Sequence, residues 1–502
     1  MSNGTIITLK VDGSEKQCKY GTRLSEVISL ELLCGGHGRC GKCKVRARGE
    51  LSELTAEEKE KLTEEEMAQG VRLACLTYAL GDCEISTYIS SAKAHSIVTD
   101  ARMPSFELKP TFEKLGIALD IGTTTLASRL YDAQGALLAE AVSLNPQSLF
   151  GADVISRIEA SLASNADKLA TLIREAIKSL AVELCHKAER STNQIEMVVV
   201  TGNTAMLYLL TEACPVALSR APFAADRLFG ELIAADALGI NIFADDAKIY
   251  LPPCISAFVG ADTVCALLST ELCESGETQM LVDIGTNGEM ALWHAGKLSV
   301  CSTAAGPAFE GVGISCGMRG ETGGIDKVTI VNGTLCPHVI GEIAPRGICG
   351  SGIVDAAACM LDLELMDETG YLEDETVQIS EGVELTQQDI RALQLAKSAI
   401  YSGICTLAKK CGAELDEISS LLVAGGFGKY LNMHSATKIG LLPAETLRKT
   451  EVVGNAALAG ASMLLLCSDE RDKAARLARS ATVVELASDP IFSEFYMNSM
   501  LF

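Results

Sequence analysis

The residues with the most specific chemistry lie near the start of the chain. Residues 33–44 read LCGGHGRCGKCK, which spaces Cys34, Cys40 and Cys43 as C-x5-C-x2-C inside a glycine-rich loop. A fourth cysteine, Cys75, follows in RLACLTYALGDCEI. Four thiolates converging on two irons are what a 2Fe–2S cluster requires. Gly35, Gly36, Gly38 and Gly41 would let the loop fold tightly and bring backbone N–H groups toward the sulfurs. A C-x2-C hook also suits zinc, but structural zinc sites usually pair two such hooks and only one is present here. Cys83 falls in the alternating stretch CEISTYIS and is read as a strand residue, and His37 as a loop residue; neither is taken as a ligand.

A second set of residues points to phosphate chemistry. The segment KLGIALDIGTTTLASRLYDAQG contains Asp120, Gly122, Thr123, Thr124 and Thr125. About 160 residues later QMLVDIGTNGEMALWHAG repeats the pattern with Asp283, Gly285, Thr286, Asn287 and Gly288. A glycine-rich hairpin turn presents backbone N–H groups and hydroxyls toward one point, a nest that binds phosphate oxygens without a formal positive charge. An aspartate ending the preceding strand can hold a magnesium ion, usually through its waters. Each copy is followed by a strand that ends in small residues and then a helix. In the first half this is MVVVTGNTAMLYLL, with Gly202 and Asn203; in the second it is SLLVAGGFGKYL, with Gly425, Gly426 and Phe427. The GGFG turn would let backbone lie flat against a nucleoside. No G-x-x-x-x-G-K-[ST] element occurs, which disfavours a P-loop fold. The pattern reads as a duplication with divergent insertions, whose two hairpins clamp a nucleotide's phosphate tail.

The elements that position these groups follow from periodicity. TIITLKVD (5–12) alternates as a strand and Gly13 marks a turn. ELSELTAEEKEKLTEEEMAQG predicts a solvated acidic helix, with Ser52 and Thr55 as caps. Residues 91–113 lack a period and read as a connector that would let the cluster domain move. Small residues in GNAALAG (454–460) would let a helix there pack closely against a neighbour. Gly347, Gly350, Ser351 and Gly352 would let a helix start close to the nucleotide. Glu310 falls in a polar loop after the second hairpin, near the nucleotide or the partner. Asp262 could cap its helix.

Bulk properties set limits. A chain of 502 residues implies three or four domains or subdomains. A net charge of −23 argues against nucleic acid as the main partner. No signal-like start and no apolar run near eighteen residues is evident, so neither secretion nor a membrane span is expected. The nineteen cysteines are then expected to be reduced thiols in a cytoplasm.

Residues 4–90 resemble the plant-type and adrenodoxin-like ferredoxins, which implies a β-grasp fold and a one-electron carrier. Residues 115–470 resemble the actin, sugar kinase, Hsp70 and acetate kinase superfamily. That resemblance implies an α+β chain in which two ribonuclease H-like α/β lobes close over ATP and Mg. Within it, Asp120 and Asp283 would organise magnesium, and Asp262 the attacking water. Gly122, Thr123, Thr124, Thr125, Gly202, Asn203, Gly285, Thr286, Asn287 and Gly288 would line the phosphates. Gly350, Ser351, Gly425, Gly426 and Phe427 would line the rest of the nucleotide. The expected divisions are 1–90 for the cluster domain, 91–113 for the connector, and 114–280 and 281–502 for the lobes.

Longer stretches narrow the match: NPQSLFGADVISRI (145–158), CSTAAGPAFEGVGISCGMRG (301–320), PRGICGSGIVDAA (345–357) and AGGFGKYLNMHSATKIGLLP (424–443). With the N-terminal cysteines, these are similar to the reductive activators of corrinoid proteins. The resemblance implies passage of one electron from the 2Fe–2S cluster to Co(II), giving Co(I), with ATP hydrolysis. The acceptor would be a corrinoid protein of a methyltransferase or O-demethylase system, and an upstream electron donor is required. A homodimer is compatible with the sequence. The corrinoid should belong to the partner, because no D-x-H-x-x-G motif is present. One departure concerns the small middle domain that the resemblance implies before the lobes. Asp120 comes only about thirty residues after the ferredoxin-like region, so that domain is expected to be absent or much reduced.

Competing readings are a small-molecule kinase of the same fold and an ATP-driven electron injector for another metalloenzyme. The cysteine cluster counts against the kinase. Injectors of that type hold a 4Fe–4S cluster between two subunits, and the lobes show no matching cysteine pair.

Overall fold

The computed structural model describes residues 5–28, 30, 32, 36, 38, 41, 43–87 and 103–502. Cys34, Cys40 and His37, and the expected connector up to residue 102, lie outside the described residues.

The N-terminal region builds a six-stranded mixed sheet. Its order is Ser14–Lys19, Ile6–Val11, Tyr78–Thr87, Lys44–Leu51 and Val71–Leu73, with Thr22–Arg23 paired to Tyr78–Thr87. Ile6–Val11 runs parallel to Tyr78–Thr87, as a β-grasp fold requires. Period-two alternation buries Ile7, Leu9 and Val11 against Val45, Leu73 and Ile85.

The acidic segment departs from expectation. It forms two short helices, Ala56–Lys61 and Glu64–Ala68, rather than one solvated helix. The break falls at Leu62, which takes extended backbone and buries its side chain in the core. Thr55 caps the first helix in a reciprocal capping box with Glu58. Ser52 is not a cap; its Oγ accepts from the N–H of Tyr78 at 3.0 Å.

Two further six-stranded sheets share one topology. In the first, Leu115–Ile121, Thr125–Asp132 and Leu137–Leu144 form an antiparallel meander, and Ile195–Gly202 joins parallel to the first of them. In the second, Gln279–Ile284, Asn287–His294 and Lys297–Ala304 form the meander, and Ser420–Ala424 joins parallel. Asp120 lies opposite Thr201, and Asp283 opposite Ala424, so the two aspartates hold equivalent positions. The boundary expected at 280/281 would cut Gln279–Ile284, a strand that belongs wholly to the second sheet.

The helices Ala261–Thr270 and Ala456–Leu466 pack together between the two sheets. Their core joins Ala118 and Val199 of the first sheet to Leu281, Val300 and Leu422 of the second. A Cβ at Gly460 would fall 1.9 Å from the carbonyl oxygen of Cys265, so only glycine permits this crossing. The long helix Ala166–Lys187 covers the far face of the first sheet, while Gly350–Asp362 and Gln387–Cys411 cover the second.

The described end of the connector is docked. Lys109 bridges to Cys467, its N–H bonds Leu466 O at 2.8 Å, and its ammonium pairs with Asp469 at 2.8 Å.

Candidate functional site

At the cysteine end, Cys43 leads into Lys44–Leu51 and Cys75 follows Val71–Leu73. Both are buried, and their sulfurs lie 3.2 Å apart. That is well beyond the roughly 2.05 Å of a disulfide. The N–H of Ala74 donates to Cys43 O at 2.9 Å, which fixes the two segments to each other. Gly36, Gly38 and Gly41 all have positive φ, and a Cβ on Gly36 would contact Cys75 Cβ at 3.9 Å. Two thiols converging beside a left-handed glycine loop fit half of a four-thiolate cluster site. Cys83 sits in mid-strand opposite Leu9, and burial, followed by Cys18 and Asp82, pushes its thiol up to about 11. A thiol held protonated inside a sheet is a poor ligand.

The second site lies between the two hairpins. Gly122 N–H bonds Thr125 O at 2.9 Å and Gly285 N–H bonds Asn287 O at 3.0 Å, closing the two turns. In the first turn three successive carbonyls accept from Asn145 and Arg157. Asn145 Nδ2 donates to Gly122 O at 2.8 Å, Arg157 to Thr123 O at 2.6 Å, and Asn145 N–H to Thr124 O at 2.9 Å. In a trans peptide the following N–H points the opposite way. The N–H groups of Thr123, Thr124 and Thr125 are therefore turned away from these supports. Arg157 is wholly buried and also donates to Gly151 O at 2.9 Å.

Three aspartates and a glutamate gather around this turn. Burial, reinforced by Asp262, raises the Asp120 carboxyl to about 7 despite the bond it accepts from Asn455. Burial and Asp262 raise Asp283 to about 7 as well. Asp262 itself is raised by burial to about 6, offset in part by Thr263, whose N–H donates to Oδ1 at 2.7 Å. Glu289 is raised well above the carboxylate range by burial, then by Asp262 and Asp283. Asp262 is not the helix N-cap; Gly260 holds that position and Asp262 lies in the first turn. A Cβ on Gly260 would meet Asn203 Cα at 2.5 Å, which places the 202–203 turn against Asp262. Among the described residues no three such side chains come close enough to share one directly bound ion.

Other expected residues have different partners. Asn203 Oδ1 accepts from Met206 N–H at 3.0 Å and so caps its helix. Ser351 donates to Asp326 O at 2.8 Å, which commits its hydroxyl hydrogen to that carbonyl. Gly350 is required by packing, since a Cβ there would lie 2.0 Å from Phe309 O. Phe427 stacks on Phe309 with ring centroids 4.8 Å apart. Gly425 has φ +90°, and a Cβ there would strike Asp283 Oδ1 at 2.5 Å.

Three supporting residues were not singled out as site residues by sequence reasoning: Asn145, Arg157 and Asn455. Thr286 Oγ1 donates to Glu310 Oε1 at 2.9 Å, while Oε2 is buried without a hydrogen-bond partner among the described residues. The first two lie in the motif NPQSLFGADVISRI, whose polar residues at the end of a meander were the available signal.

Fold and geometry together define a β-grasp cluster domain joined to a duplicated, two-sheet protein with an acidic cleft. Comparisons with known proteins agree. Residues 3–80 match the 2Fe-2S iron-sulfur cluster binding domain, 115–275 the RACo middle region, and 277–502 the C-terminal ASKHA domain of RACo. The corrinoid activation enzyme RamQ of Eubacterium limosum is 33% identical over 99% of this chain and 98% of its own. The [Co(II) methylated amine-specific corrinoid protein] reductase of Methanosarcina barkeri is 26% identical over 76% of each chain. A solved structure, the reductive activator for corrinoid, iron-sulfur protein, superposes with a TM-score of 0.72 at 28% identity, covering 99% of this chain and 98% of that one. The chain belongs to the RACo family. The middle-region match covers the first hairpin sheet itself rather than a separate domain ahead of it.

Proposed function

We propose that this protein reductively activates a corrinoid protein of a methyltransferase or O-demethylase system, using ATP. The carrying observation is the presence in one chain of a converging cysteine pair and a two-hairpin acidic cleft. The names of the relatives support the same reading. Cys34, Cys40, Cys43 and Cys75 would hold the 2Fe–2S cluster, which supplies one electron at a time near −400 mV, the plant-type value. Forming Co(I) needs a stronger reductant, and each 100 mV uphill costs about 2.3 kcal/mol per electron. ATP binding or hydrolysis would offset that cost by changing the corrinoid's surroundings.

In the cleft, Asp120 and Asp283 would hold magnesium through water. The outward N–H groups of Thr123, Thr124 and Thr125, with Gly285, Thr286, Asn287 and Gly288, would bind the phosphates. Gly425, Gly426 and Phe427 would lie along the adenosine. Glu310, with one oxygen held by Thr286 and the other unbonded among the described residues, is better placed than Asp262 to take the proton of the attacking water. The protein would act in a reducing cytoplasm. An upstream reductant completes the scheme. No helix among the described residues is long and apolar enough to cross a membrane.

The test is visible spectroscopy of Co(II) corrinoid proteins mixed with the reduced protein, with and without ATP. A Co(I) band that requires ATP is expected. Its absence with every corrinoid partner, or equal formation without nucleotide, would overturn the proposal.

A further inference from the structure

Glu58 lies in the acidic segment between the third and fourth expected cluster cysteines, yet it is wholly buried. Its Oε1 accepts from Arg72 Nε at 2.9 Å, Leu73 N–H at 3.0 Å and Thr77 Oγ1 at 3.1 Å. Its Oε2 accepts from Arg72 at 2.9 Å and from Thr55 N–H at 3.1 Å. Arg72 also donates to the carbonyls of Ser52 and Glu53 at 2.9 and 3.2 Å. Arg72 and Leu73 precede Cys75, and Thr77 follows it, so one carboxylate grips both sides of the Cys75 turn. The turn is closed further by Leu76 and Thr77 N–H groups, which both donate to Leu73 O, at 2.9 and 3.1 Å.

A purely structural clamp has no need of charge. Burying an ionised pair carries a desolvation penalty, and apolar side chains of similar volume often serve stability as well. A fixed anion and cation beside a redox centre, by contrast, act directly on its potential, because charge and hydrogen bonding around the sulfurs set that potential. We infer that Glu58 is a positioning residue for the Cys75 thiolate and that the Glu58–Arg72 pair fixes the local charge that tunes the 2Fe–2S potential. This rests on the reading that Cys75 is a ligand.

The inference is tested on the full chain, purified anaerobically, with iron and sulfide analysis, visible and EPR spectra, and a redox titration. Glu58→Gln keeps an acceptor but leaves Arg72 uncompensated, which favours the more negative, reduced cluster. It should retain the 2Fe–2S spectrum and shift the midpoint to a less negative potential. Glu58→Ala should lose iron to a chelator about tenfold faster than the parent protein, as expected when hydrogen bonds worth about 1.4 kcal/mol are lost. The double variant Glu58→Gln/Arg72→Met removes both charges and should return the midpoint toward the parent value. It also provides a neutral pair if the single variants fold poorly. A parent 2Fe–2S spectrum accompanied by unchanged midpoints and iron retention in the variants would overturn this inference alone. A parent chain with iron but no 2Fe–2S spectrum would instead overturn the ligand reading beneath it.

Discussion

Asn455 Nδ2 donates to Asp120 Oδ2 at 3.0 Å, across 335 residues of sequence. Asn455 caps the helix Ala456–Leu466 through Leu458 N–H, so a single side chain links that helix to the end of a first-sheet strand. The bond favours the ionised form of Asp120 against the burial that disfavours it. Asn455→Ala should therefore weaken Mg–nucleotide binding about tenfold, the scale of one hydrogen bond to a charged group. Calorimetric titration with Mg–ADP measures this directly, and an unchanged affinity would remove Asn455 from the site.

The raised carboxyls make stability depend on pH. Asp120 and Asp283 at about 7, and Asp262 at about 6, lie above their unfolded values near 3.9. Groups raised on folding stabilise the folded state fully below the unfolded value and lose that contribution as pH rises through the folded value. The nucleotide-free protein should thus gain thermal stability as pH falls from 8 to 6. Magnesium requires the ionised forms, so Mg–nucleotide affinity should fall over the same interval. Scanning calorimetry with and without Mg–ADP separates the two trends, and parallel trends would contradict the assignment.

Glu310 and Asp262 make separable predictions. Glu310→Gln should lower ATP turnover by about a hundredfold, the lower range for a lost general base, with nucleotide affinity little changed. Asp262→Asn should instead act mainly on the metal dependence, since Asp262 faces Asp120, Asp283 and Glu289. Phosphate release measured against magnesium concentration distinguishes them. Normal turnover in Glu310→Gln would return the proton-accepting role to Asp262.

Arg157 holds the backbone carbonyls of Gly151 and Thr123 and also donates to Met206 Sδ at 3.5 Å. Replacing it with Met removes the donor to Thr123 O and frees the first turn to rotate. The expected result is an ATP KM raised about tenfold or more, with ADP affinity lowered in parallel. The loss of a buried charged donor should also lower the melting temperature. A variant that melts earlier but binds ATP normally would make Arg157 structural only.

The cluster ligands are checked by two single changes. Cys75→Ala should abolish the 2Fe–2S spectrum. Cys83→Ala should preserve it, because Cys83 is held in mid-strand opposite Leu9. A Cys75→Ala chain with a full spectrum would shift the ligand role to Cys83.

The sequence alone determined the repeated parts of this protein. Gly-rich turns, strand alternation and the DIGT duplication are local signals, because they follow from φ preferences and period-two burial over a few residues. The equivalent places of Asp120 and Asp283 in the two meanders could be read in that way. The tertiary structure decided what depends on distant partners. Glu58 looked solvated within EEKEK, and only the return of Arg72 and Thr77 made it a buried clamp. Asn145 and Arg157 stand 23 and 34 residues from the carbonyls they hold. Asn455 meets Asp120 only because Gly460 lets two helices cross at backbone contact. A buried polar side chain takes its role from whatever completes its hydrogen bonds, and that is settled when the chain packs.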